Sequence, residues 1–223
     1  MNTKHLKQTL WYGGKKYRLM NMFGVWRLLD RYDNYFAIHL KNENYLLCRD
    51  TFAAFTPDNY LVAIVEEWDR SIYRINRYFI KAGILEITKS NKVKFVEKYS
   101  VDITGPYEKF VDSHKTHPFS TILDNLETLY ELESKRVCII GCINFTLLFW
   151  KIDDPSSLIL ESLLDTNNLL LGFHVVPNTL KMIGNDKIGM TIKSANKSEN
   201  TKRYNLVYDL TLKTIITLEP ESS

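Results

Sequence analysis

The stretch TFAAFTPDNYLVAIVEEWDRSIYRIN, residues 51 to 76, constrains the fold more than any other part of the chain. An apolar run through Thr51, Phe52 and Phe55 stops at Thr56-Pro57-Asp58-Asn59, where proline fixes φ and Asp and Asn bond their own backbone, so the chain must turn tightly there. Tyr60 to Val65 follows with no breaker and several β-branched residues, the pattern of a strand buried on both faces. Glu66 to Arg70 reads as a second turn. Ser71 to Asn76 then alternates as a third strand, with Ile72 and Arg74 on one face and Tyr73 and Ile75 on the other. Three consecutive antiparallel strands joined by hairpin-sized loops are expected.

The same order of elements returns further along. From Thr128, Leu129 to Leu132 reads as a first strand, Glu133 to Arg136 as a turn and Val137 to Ile143 as a buried second strand. Thr146 to Ile152 is then the third strand, matching Arg70 to Asn76, and Leu158 to Leu164 the fourth, matching Gly83 to Thr88. A third instance begins at Asn168, is interrupted by a polar insertion from Ala195 to Arg203, and ends with the strands Asn205 to Leu210 and Lys213 to Leu218 around the turn Thr211-Leu212. Starts at 51, 128 and 168 give a period of about 39 if a degenerate unit fills the gap, and four-stranded repeats of about 40 to 45 residues are the signature of β-propeller blades.

The stretch FAAFTPDNYLVAIVEEWDRSIYRIN resembles the inner strands of a WD40-type blade. LLFWKIDDPSSLILESLL and LVYDLTLKTIITL are similar to the third and fourth strands of such blades. Trp150-Lys151-Ile152 and Tyr208-Asp209-Leu210 stand where the family commonly has its Trp-Asp dipeptide, whereas Trp68-Asp69 falls in a turn and no Gly-His pair occurs. The resemblance implies a mainly β fold of repeated antiparallel four-stranded sheets, propeller-like, acting as a protein-interaction scaffold. With room for about five blades the ring is small or incomplete, and an incomplete ring exposes edge strands that a partner must cover. One segment reads differently: in HPFSTILDNLETLYELESKR the residues Ile122, Leu126, Leu129, Tyr130 and Leu132 approach helical spacing behind Pro118 and Ser120, so Ser120 to Glu133 is either a helix or the degenerate start of a blade.

Charge divides the chain unevenly. Residues 1 to 31 hold Lys4, Lys7, Lys15, Lys16, Arg18, Arg27 and Arg31 against Asp30 alone, a net +6, which leaves −3 for the remainder of a chain whose total is +3. Trp11, Tyr12, Tyr17, Phe23 and Trp26 are interleaved with those bases. Basic groups that meet phosphates beside aromatics that stack on bases are the ingredients of single-stranded nucleic-acid binding, and the same mixture also suits a solvated face of an ordinary domain. The chain is accordingly read as a basic aromatic segment 1–31 packed on or leading into the main domain, a single β-rich repeat domain 32–218 and an acidic tail 219–223. Trp11, Lys15, Lys16, Arg18, Trp26 and Arg27 are the candidate partner-binding residues. A protein partner is the first expectation and nucleic acid the second.

Chemistry is harder to place. Gly13-Gly14 before Lys15-Lys16-Tyr17 lacks the spacing of a phosphate loop. Glu66-Glu67 and Asp153-Asp154 read as turn carboxylates, and His39 and His174 as hydrogen-bonded strand histidines. Cys138 and Cys142, four apart, share a strand face, and with Cys48 they form a set too sparse and odd for a disulfide framework. Zinc would need further ligands, of which His114 and His117 are the nearest pair. No metal, cofactor, small-molecule substrate or catalytic residue is expected. The longest apolar run, Val137 to Trp150, contains Asn144 and is shorter than the roughly 20 residues of a membrane helix. No secretory signal is visible, and the expected compartment is cytoplasm or nucleus.

Overall fold

The computed structural model describes residues 3–22, 25–40, 45–46, 52–69, 71–72, 74–88, 90, 92–114, 126–143, 145–166, 170–184, 186–195 and 202–221. The protein is mainly β, with several antiparallel sheets. Its chain gathers into two compact units, one of residues 5–120 and one of residues 121–223 joined by the first four residues. Those four supply β1 (Thr3–Lys4), which pairs antiparallel with β11 (Leu126–Glu131).

The unit of residues 5–120 is a nearly closed, barrel-like sheet of β2 (Thr9–Tyr12), β3 (Lys15–Met22), β4 (Val25–Leu29), β5 (Tyr35–His39), β10 (Val93–Asp102), β9 (Arg74–Ile87), β8 (Leu61–Asp69) and β7 (Ala53–Phe55), in that lateral order, with β6 (Tyr45–Leu46) at the far end of β8. Lys7, just ahead of β2, exchanges backbone hydrogen bonds of 2.7 Å in both directions with Phe55 of β7, which brings the two ends of the path together. All neighbours are antiparallel except β5 and β10, whose parallel contact is the pairs Val93↔Ile38 and Lys94↔His39. The expected boundary after residue 31 falls between β4 and β5, inside this sheet.

Local chemistry explains the hairpins. Gly13 and Gly14, both at positive φ (56° and 74°), form the two-residue loop between Tyr12 and Lys15, the geometry that matches the twist of a hairpin. At the β7–β8 turn the Thr56 hydroxyl accepts from the Tyr60 amide at 2.9 Å and Asn59 sits at φ 68°, as the Thr-Pro-Asp-Asn sequence predicts. The expected turn at Glu66 to Arg70 is corrected: β8 continues to Asp69, and the chain reverses at Ser71-Ile72. A bulge between Glu67 and Trp68 carries the pairing onward, and the buried Glu66 carboxylate accepts from the Trp68 indole N–H at 3.1 Å. Nor do the expected third and fourth strands of this stretch separate. They are one strand, β9, which pairs with β8 on one side and β10 on the other. A helix, α1 (Thr104–His114), follows β10; the Asp102 carboxylate accepts from the Thr104 amide at 2.9 Å, and Tyr107 stacks on Tyr78 of β9 with ring centroids 4.0 Å apart.

The other unit contains two sheets. The first is a meander, β11, β12 (Arg136–Gly141), β13 (Thr146–Lys151) and β14 (Asp154–Ser162), in which each strand pairs with the next. A four-residue helix, α2 (Leu163–Thr166), follows it. β12 is buried at every residue, as its uninterrupted apolar sequence requires. The second sheet holds β17 (Lys187–Ser194), β18 (Arg203–Asp209) and β19 (Thr214–Pro220), with β15 (Phe173–Val175) and β16 (Lys181–Ile183) along different stretches of β17. Leu129, Cys138, Ile140 and Phe149 of the meander share a core with Ile188, Met190, Leu206 and Tyr208 of the second sheet. Glu219 and Pro220, read as the start of an acidic tail, are the last residues of β19.

The helical reading of Ser120 to Glu133 is also corrected over its described part. Leu126 to Glu131 is β11, and residues 120–125 lie outside the described residues. Six consecutive pairs with β12 outweigh an intrinsic spacing that suited either state.

Candidate functional site

The four strands β2 to β5 form a stretch of sheet whose two faces differ sharply. Leu10, Tyr17, Leu19, Trp26 and Leu28 point to the buried side. Within it Tyr17 meets Phe36 edge-on at 6.5 Å. Because strand side chains alternate, the residues between them must point the other way. Cross-strand register orders that outer face into rows: Trp11 beside Lys16; then Thr9, Arg18 and Tyr35, with Leu29 of the same row buried beneath its neighbours; then Met20, Arg27 and Ala37. Trp11 is 63% exposed and Tyr35 56%, on either side of the basic residues. With strands about 4.8 Å apart, β2 and β5, which carry these two rings, are three spacings or about 14 Å apart across the sheet.

The electrostatics of this face are one-sided. β2 to β5 contain Lys15, Lys16, Arg18 and Arg27 and no Asp or Glu. The Arg27 guanidinium lies over the Tyr35 ring, 4.8 Å from its centroid. Arg18 pairs with Asp33 of the β4–β5 turn, and their side chains are 50% and 71% exposed, so water screens this contact. The turn is organised by Asp30, whose carboxylate accepts from the amides of Tyr32 (2.8 Å) and Asn34 (3.0 Å) and from the Asn34 side chain (3.0 Å). The Asn34 side-chain bond is the chief reason that the Asp30 carboxyl stays below its ordinary pKa. Tyr32, 69% exposed, extends the aromatic surface at the tip of this turn.

Five of the six residues singled out from the sequence are thereby brought together: Trp11, Lys16, Arg18 and Arg27 on the outer face, and Lys15 at the hairpin beside it. The sixth, Trp26, is 3% exposed on the opposite, buried face, where it serves as core. Sequence reasoning missed Tyr35, Tyr32 and Met20. The signal for Tyr35 was the alternation Tyr35, Ala37, His39 against Phe36 and Ile38, which puts Tyr35 on the face that Arg27 occupies.

Several described groups capable of chemistry elsewhere are buried or bonded within the structure. Burial pushes the Cys138 thiol up to about 12 and, with the Glu127 carboxylate nearby, Cys142 up to about 11, which makes both poor nucleophiles. Cys48 and His117 lie outside the described residues. Among the described residues no group of three or more His, Cys, Asp or Glu is placed to hold a metal. Lys81, 3% exposed, is held by Glu97 at 2.6 Å and donates to Ser100 at 3.1 Å. Asp154 caps its own turn by accepting from the Ser156 amide at 3.1 Å, and Glu131 is bound by Ser134 and Arg136. An open cleft of about 400 Å³ between β9 and α1 is lined by Ile75, Tyr78, Tyr107, Glu108, Val111 and Asp112, with no base among these described residues. No described helix is long and apolar enough to cross a membrane. No family model matches the chain, and no curated protein or solved structure does so either.

Proposed function

We propose that the protein is a non-catalytic binding module that holds single-stranded nucleic acid on the outer face of β2 to β5. The observation that carries this reading is the placement of exposed Trp11 and Tyr35 on either side of Lys16, Arg18 and Arg27, on strands free of carboxylates. Aromatic platforms stack on bases of any sequence while bases on the protein track the phosphates, so such a face suits a flexible strand better than a duplex, whose bases are already stacked. Fluorescence anisotropy with a labelled oligothymidylate of about 15 nucleotides, and with a blunt duplex of equal length, tests it. Tighter binding of the single strand, weakened by Trp11→Ala, is the expected result. Preference for the duplex, or indifference to Trp11→Ala, refutes it.

A second reading, the protein-interaction scaffold, draws support from the meander β11 to β14, whose strand order follows the blade-like order read from residues 128 to 164. In this reading the two sheets of residues 126–220 are blade-like units, and β14, which ends its sheet, is the edge that a partner covers. Light scattering on protein purified from its own source, with mass spectrometry of co-eluting material, tests it. A reproducible companion protein supports the scaffold, and a clean monomer counts against it.

A further inference from the structure

The Arg18–Asp33 pair stands out on this face. Arg18 is at the centre of the outer surface, in the row that also holds Tyr35, and among the described residues its guanidinium forms an ion pair with an acid, Asp33. That acid comes from the β4–β5 turn and not from the sheet. Asp33 is held in the left-handed region at φ 61°, in a turn fixed by the Asp30 carboxylate and by backbone bonds from Asp30 N to Asn34 O (3.0 Å) and from Asp33 N to Asp30 O (3.2 Å). A loop this well defined delivers its carboxylate to the guanidinium at little further entropic cost. Yet the pair is open to water, with more than two thirds of the Asp33 side chain exposed, so it is easily exchanged.

We propose that Arg18 is a phosphate subsite, that Asp33 occupies it in the free protein as an internal competitor, and that a nucleic-acid strand binds by displacing this carboxylate. The proposal rests on the nucleic-acid reading of the same face. Its chemistry is that of planar recognition: the guanidinium fork that accommodates a carboxylate also accommodates a phosphate, and a strand adds phosphate contacts at Lys16 and Arg27 and the release of counterion, which the single Asp33 carboxylate does not. Charge complementarity selects the occupant, since the surrounding strands hold four bases and no acid. The displaced turn need not unfold, because its internal bonds come from the Asp30 carboxylate and from the backbone, not from the Asp33 side chain.

The test uses the full chain and a fluorescein-labelled oligothymidylate of about 15 nucleotides. Asp33→Asn is the informative variant, because Asn tolerates the left-handed conformation and removes only the charge; Asp33→Gly, which also suits φ 61°, is a second variant should the first misfold. Removing the competitor tightens binding about two- to fivefold, the range set by an exposed ion pair. In an Arg18→Ala background the same substitution gives less than about 1.5-fold, because the subsite is gone. An equal gain in both backgrounds marks a long-range effect of net charge and overturns the proposal, as does a loss of affinity in Asp33→Asn. If the wild type binds the strand and Trp11→Ala weakens it while Asp33→Asn changes nothing, the proposal falls and the reading of the face stands. If the wild type ignores the oligothymidylate, or binds a polyglutamate peptide more tightly, the reading of the face falls and the subsite with it.

Discussion

Salt dependence is the property that most directly reports how the basic face works. Lys15, Lys16, Arg18 and Arg27 lie on or beside the outer surface of β2 to β5, and each phosphate they neutralise releases counterion from the strand. With about four contacts and a coefficient of about 0.7 per contact on single strands, log K against log salt has a slope of about −2.8. Raising monovalent salt from about 50 to 200 mM then weakens binding about fiftyfold. Charge reversal at Lys15 and Lys16 together removes two contacts and flattens the slope by about 1.4. Trp11→Ala behaves differently: it forfeits stacking, at a cost of about 1–3 kcal/mol or roughly 5- to 150-fold in affinity, and leaves the slope unchanged. Anisotropy titrations at four salt concentrations separate the two effects. A slope shallower than about −1, or one that Lys15→Glu with Lys16→Glu does not move, refutes the assignment of these bases to phosphate contacts.

Three further outcomes follow from the packing. Arg136, which binds the Glu131 carboxylate and reaches the Gly184 carbonyl at 3.3 Å, is almost wholly buried, so Arg136→Ala leaves the buried Glu131 carboxylate without the Arg136 charge and costs about 3–5 kcal/mol in urea unfolding; a loss below about 1 kcal/mol contradicts that account. At Gly83 a Cβ would lie 2.2 Å from the Val96 carbonyl oxygen, so Gly83→Ala forces β9 and β10 apart and lowers stability by at least about 1–3 kcal/mol, whereas an unchanged unfolding midpoint would show that the strands part freely. Burial opposes ionisation of both Glu131 and Asp102, but hydrogen bonds from Ser134 and Arg136 at the first, and from Thr104 at the second, prevail and hold their pKa values below the ordinary 4.5 and 3.8. Carboxyls depressed in the folded state bind fewer protons than in the unfolded chain, so stability is level above those ordinary values and declines as pH falls through the lower folded ones; a urea midpoint unchanged down to about pH 3 contradicts this.

Turns with their own chemistry were readable, and pairings between distant segments were not. Thr56-Pro57-Asp58-Asn59 predicts its reversal because the Thr56 hydroxyl and the positive φ of Asn59 are local properties. The strands around Val137, Thr146, Asn205 and Lys213 were legible for the related reason that apolar runs bounded by breakers have few alternatives. The bridge between Lys7 and Phe55 that nearly closes the barrel joins residues 48 positions apart and leaves no trace in either neighbourhood. The register of β9 against both β8 and β10 likewise decides that Arg74 to Ile87 is one strand, although residues 77 to 82 read as a gap between two. Helix α1 went unassigned; its Gly105-Pro106 pair is one that a first helical turn accepts, since its amides have no intrahelical partner.

The candidate site shows what composition and register each contribute. Interleaved bases and aromatics in the first 31 residues established that a basic aromatic surface could exist, but a count of residue types does not say which of them share a face. Trp11 and Trp26 look alike in that count. Register separates them: Trp11 pairs with Lys16, and Trp26 pairs with Asn21, on the side of Leu19 and Leu28. One tryptophan therefore meets solvent with the bases and the other fills the core, and exchanging their roles would require a one-residue slip that exposed Tyr17 and Leu19 and buried Lys16 and Arg18. The cost of burying those charges fixes the register. The same energetic term that folds the strands therefore also leaves Lys16, Arg18 and Arg27 together on the surface, so the basic face follows from the way the sheet protects its core.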